Sequence, residues 1–63
     1  MTPTEIKVIL LRRGITQVEL AKQLGVHRTT VAQAINNLRR RPRVRAQIAN
    51  FLGIPVKKLW PDN

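Results

Sequence analysis

His27, Arg28, Thr29, Gln33 and Asn36 lie within ten residues of one another in a segment that carries no carboxylate, and each can donate a hydrogen bond. Arginine forks onto two acceptors, glutamine pairs a donor with an acceptor, and threonine sets a hydroxyl beside a methyl group. This is chemistry for recognising base-pair edges rather than for making bonds. The chain has little else to react with: one histidine, no cysteine, and three acidic residues, Glu5, Glu19 and Asp62. Glu5 and Glu19 each stand three residues after a threonine, where a capping box uses them. An enzyme is not expected, the absence of cysteine excludes a cysteine-ligated zinc, and nothing in the chain requires a cofactor.

The elements that must position these side chains are helical. In Gln17–Asn36, Leu20, Leu24, Val26, Val31, Ala34 and Ile35 can turn inward together, Ala21 permits close approach of two helices, and Gly25 suits the tight exit between them. That is the pattern of a helix-turn-helix. The whole chain reads as an all-α bundle of five helices. The first opens at the Thr2-Pro3-Thr4-Glu5 capping box, shares Ile6, Ile9 and Leu10 on one face, and stops at Gly14. The second starts at the Thr16-Gln17-Val18-Glu19 box and ends at Gly25. A third helix is expected over Arg28–Leu38, with Val31, Ile35 and Leu38 at helical spacing. The fourth runs near Val44–Leu52, with Val44, Ile48 and Leu52 on one stripe, and the fifth around Val56–Leu59, stopped by Pro61. Phe51 reads as core. Trp60 is either a lid over the core or an anchor for a partner subunit.

Sixty-three residues make one expected domain, 1–63, and a chain of this length buries only about 60% of its unfolded surface. Twelve Lys and Arg stand against the three acids, for a formal charge of +9, which points to a polyanion and most simply to nucleic acid. The run Val8-Ile9-Leu10-Leu11 is far short of the roughly 20 apolar residues that span a bilayer. Met1-Thr2-Pro3-Thr4-Glu5 lacks the basic start of a secretory signal. Both features lead to the expectation of a cytoplasmic protein with no membrane partner, and a chain with no room for an effector-binding domain is expected to take no small-molecule ligand. The basic run Arg39-Arg40-Arg41-Pro42-Arg43-Val44-Arg45 can grip a phosphate backbone, although some of its arginines can equally extend into solvent.

The Thr16-Gln17 start, Glu19-Leu20-Ala21, the Leu24-Gly25-Val26 turn, the Arg41-Pro42-Arg43 loop and Ile48-Ala49…Leu52-Gly53-Ile54 resemble, in order and spacing, the Cro and phage-repressor (XRE-type) family of helix-turn-helix regulators. The ending Leu59-Trp60-Pro61 is similar to that of the Ner-type repressors of transposable phages. The resemblance covers nearly the whole chain. It implies a lambda-repressor-like fold of five helices whose third helix enters the major groove of double-stranded DNA in a bacterial cell or a phage-infected host. It also implies a phosphate clamp at Gln17 and a reach by Arg43 toward a narrow minor groove. Helices near the C-terminal end pair two subunits in that family, setting recognition helices about 34 Å apart. Lys57 and Lys58 depart from that pattern, so a weak or DNA-induced homodimer is expected.

Base contact is expected from Arg28 on guanine, Gln33 on adenine and Thr29 on a thymine methyl, with phosphate as the competing partner of each. For His27 a base contact, a phosphate contact and a helix cap all remain open. Backbone contacts are expected from Gln17, Thr30, Asn36, Arg40, Arg41 and Arg43. The function expected is that of a sequence-specific regulator, a repressor, with a non-specific or architectural nucleic-acid binder and a DNA-binding antitoxin as alternatives.

Overall fold

The computed structural model describes residues 1–62, which form five helices joined by short turns: α1 (Pro3–Arg12), α2 (Gln17–Leu24), α3 (Arg28–Ile35), α4 (Pro42–Leu52) and α5 (Val56–Leu59). No strand occurs among the described residues. The helix starts follow from local chemistry. Thr2 Oγ1 accepts from the Glu5 N–H at 3.1 Å while Glu5 Oε1 accepts from the Thr2 N–H at 2.8 Å, so two otherwise orphaned donors are satisfied reciprocally. At α2, Thr16 Oγ1 accepts from the Glu19 N–H at 3.0 Å. Pro42 begins α4 two residues earlier than the apolar stripe indicates, at the first helical position, where a missing N–H is harmless.

The core is assembled from one stripe of each helix. Ile6 and Leu10 of α1 meet Leu20 and Ala21 of α2, Val31, Ala34 and Ile35 of α3, Val44, Ile48 and Leu52 of α4, and Leu59 of α5, all buried. Each of the larger aliphatics contributes about 1.5–3 kcal/mol by leaving water. Between α2 and α3 the chain reverses at Gly25, whose φ of 70° belongs to the left-handed region. This lets the Val26 N–H reach back to the Ala21 carbonyl at 3.0 Å and close the end of α2. Ala21, 2% exposed, sits where these two helices press together.

Two expectations are corrected. The third helix stops at Ile35 rather than Leu38, and Leu38 is 73% exposed instead of joining Val31 and Ile35 in the core. Asn37 is the cause: it takes φ 59°, and the Leu38 N–H then bonds the Gln33 carbonyl at 3.0 Å, a left-handed closure equivalent to the one glycine makes elsewhere. Phe51, read as core, is 38% exposed, because the stripe Val44, Ile48, Leu52 already occupies the inward face and Phe51 lies about 100° round the helix from Leu52.

Trp60 resolves toward the lid. It is 1% exposed, and its Nε1–H donates to the Ala34 carbonyl at 3.2 Å. Arg13 Nη2 donates to the Leu52 carbonyl at 3.0 Å, supplying a positive charge and a donor to the C-terminal end of α4.

Candidate nucleic-acid interface

His27 caps α3. Its Nδ1 accepts from the Thr29 N–H at 3.1 Å, and its extended backbone (φ −74°, ψ 146°) turns the chain into the helix. With Nδ1 engaged as an acceptor, Nε2 carries the ring proton and is the donor that remains. His27, Arg28 and Thr29 are exposed together at the first turn of α3, and Thr30, Gln33 and Asn36 are half-buried along its length. A helix of eight residues is about 12 Å long, enough to present such a row to one groove.

The row is flanked on both sides. Gln17 is the first residue of α2 and is half-buried, its position set by the Thr16 cap. Arg39, Arg40, Arg41 and Arg43 are all exposed in the segment from the end of α3 into α4. Arg41 has a left-handed backbone, φ 46° and ψ 59°, immediately before Pro42. Proline disfavours the right-handed helical region for the residue before it, so α4 cannot extend back through Arg41, and the turn holds Arg41 in a region that non-glycine residues rarely adopt. From there Arg41 Nη2 and Nε donate to Gln33 Oε1 at 2.9 and 3.3 Å. Arg40 Nη2 makes a long contact to the Asp62 carbonyl at 3.4 Å. Asn36 Nδ2 bonds the Ala32 carbonyl at 2.9 Å and ties its amide to the end of its own helix.

The sequence around this row carries charge of one sign. No acidic residue lies between Glu19 and Asp62, whereas Arg28, the arginine segment and Lys57 and Lys58 all fall there. A phosphate backbone laid along α3 would therefore meet donors and cations without a repelling carboxylate in the sequence that lines it. Among the described residues no three His, Asp or Glu side chains converge on a point where a metal could be held.

Sequence reasoning did not identify the residues that hold the arginine segment in place. Arg45, counted only as part of the basic run, is 2% exposed. Its guanidinium carbon stands 5.1 Å from the centre of the Trp60 ring, and its Nη2 donates to Asn37 Oδ1 at 3.0 Å. Arg45 thus joins the turn after α3 to the aromatic lid. The available signal was positional: Arg45 stands three, four and seven residues before Ile48, Ala49 and Leu52, on the buried face of the same helix.

Five helices, with α2 and α3 crossed through Ala21 and Gly25 and a donor-rich first turn on the second of them, define a helix-turn-helix domain. A family model for winged helix-turn-helix DNA-binding domains matches residues 1–63, and the chain belongs to that family. The wing in that description has no strand to represent it among residues 1–62; the arginine segment and α4 follow α3 instead. No curated protein and no solved structure matches the chain. No helix is long and apolar enough to cross a membrane.

Proposed function

We propose that this domain, as one unit over residues 1–63, recognises a specific double-stranded DNA site and acts as a transcriptional regulator of the repressor kind, with α3 in the major groove. The observation that carries this reading is the exposed first turn of α3, where Arg28 and Thr29 project beside the capping His27 with no carboxylate near them in sequence. Side chains at the start of a recognition helix reach base edges, and an arginine there selects guanine through O6 and N7. Gln33 reads a base further along, and Gln17, Thr30, Asn36, Arg40, Arg41 and Arg43 fix the helix in register through phosphates. The likeness to Cro and phage repressors supports repression over other outcomes of occupancy. With +9 on each copy and Lys57 and Lys58 exposed on α5, free copies repel one another, and pairing is completed on DNA.

Selection of binding sites from random duplex DNA tests the reading directly. The expected result is a recovered motif bound about a thousandfold or more tighter than bulk DNA. Equal affinity for all duplexes at matched salt would leave a non-specific binder instead. Sedimentation without DNA should show monomer at low micromolar concentration, and a tight dimer there would overturn the pairing proposal.

A further inference from the structure

Gln33 is not a free reader. Its Oε1 accepts from both Nη2 and Nε of Arg41, at 2.9 and 3.3 Å. A guanidinium has donors and no acceptor, so the amide cannot be turned over: oxygen must face Arg41, and the NH2 group must face away from it. Adenine is recognised by an amide that both accepts from N6 and donates to N7. An amide whose oxygen is occupied by an arginine fork can do only the second of these well. Arg41 meanwhile occupies a backbone region that non-glycine residues rarely adopt, φ 46°, and such strain persists where the surrounding structure fixes it for a purpose.

Resting on the DNA-reading role proposed for α3, we infer that Arg41 is a positioning residue that sets the base preference of Gln33. By holding Oε1 it leaves Gln33 as a donor only, and so favours guanine, whose N7 and O6 both accept on the major-groove edge, over adenine, whose N6 amino group is left without its acceptor. The two residues come from different elements, α3 and the turn before α4, so the preference at one base pair depends on a loop residue that need not touch that base.

The substitution Arg41→Met separates this role from a phosphate contact, because it removes the donors that hold Oε1 while keeping a long unbranched side chain. Arg41→Met should change the order of preference among the four bases at one position of the site, toward adenine, by about 5- to 100-fold, the range over which a bidentate base contact discriminates. Loss of a phosphate contact alone would instead weaken every sequence alike and leave that order as it was. Gln33→Ala should flatten preference at that same position, and adding Arg41→Met to Gln33→Ala should then leave the preference there flat. Circular dichroism of each variant confirms the helical content. If Arg41→Met leaves the base order untouched on a site that the parent protein binds specifically, or shifts it equally in the Gln33→Ala background, the positioning role is wrong while the reading of α3 stands. If the parent protein selects no site at all, both fall together.

Discussion

The indole Nε1 of Trp60 donates to the carbonyl of Ala34 at 3.2 Å, from one end of the chain to the last turn of α3. That carbonyl lies within the last four of its helix, where the backbone partner has run out, because the chain has already turned at Asn37 and the Leu38 N–H bonds the Gln33 carbonyl instead. The Ala32 carbonyl is met locally, by the Asn36 N–H at 2.9 Å. The lid therefore completes the end of α3 as well as covering the core.

Trp60→Phe keeps most of the apolar bulk and removes the donor. It should destabilise the fold by about 1–3 kcal/mol, the penalty for a buried acceptor left unmade. Trp60→Ala should cost about 3–5 kcal/mol, comparable to the whole stability of a small domain. Urea denaturation of the two variants checks this, and a Trp60→Phe protein as stable as the parent would show that the bond contributes nothing.

Asn37 combines a left-handed backbone with a side-chain bond to Arg45. Asn37→Ala should lose about 1–2 kcal/mol, since a Cβ without a local hydrogen bond is penalised in that region. Asn37→Gly should lose less, because glycine accepts the backbone and forfeits only the Arg45 contact. Equal losses in the two variants would mean that φ is not what the position demands. Gly25→Ala offers a parallel test: a Cβ there meets no atom within 4 Å, so the cost expected, again about 1–2 kcal/mol, is purely one of backbone conformation.

On DNA, Arg28→Ala should relax preference at a single base pair by about 1–3 kcal/mol while leaving the salt slope nearly unchanged. Arg40→Ala and Arg43→Ala should weaken binding to every sequence alike, each lowering the slope of log affinity against log salt by roughly one. Titrations at several salt concentrations on matched and mismatched sites distinguish the two patterns. A uniform loss for Arg28→Ala would remove it from base reading.

The capping box at α1 gives a pH dependence. The Thr2 N–H and then the Thr2 hydroxyl hold the Glu5 carboxyl below the usual carboxylate range. A depressed folded-state value means stabilisation present above the unfolded value, about 4.3, and lost as pH falls through the lower folded value. Acid should thus loosen the start of α1 first. Glu5→Gln should remove that part of the pH dependence without removing the Thr2 cap. Backbone amide shifts of residues 2–6, followed by NMR between neutral and acid pH, report it, and identical acid profiles for parent and variant would rule out the effect.

The core was legible because each stripe is spelled in aliphatics at helical spacing, from Ile6 and Leu10 to Val44, Ile48 and Leu52. The turn at Gly25 was legible because glycine announces a left-handed residue. The turn at Asn37 was not, although asparagine can adopt the same conformation: Leu38 continues the period set by Val31 and Ile35, and periodicity outweighed the cap signal. Arg28, Thr29 and His27 were visible as an exposed row from residue type alone. The Gln33–Arg41 fork and the Arg45–Asn37 bond were hidden, since both depend on how the six-residue turn between α3 and α4 folds back, and no spacing rule encodes that.

A chain with nine surplus positive charges and an acid-free stretch from residue 20 to 61 has a thermodynamic corollary in the response to electrolyte. Free in dilute buffer, the folded molecule concentrates its own like charges, and added ions should raise its melting temperature by shielding them. Bound, the same cations replace the counterions of the duplex, and added ions should loosen the complex. One concentration change thus strengthens the isolated protein while weakening its grip, so ionic strength alone separates folding from occupancy.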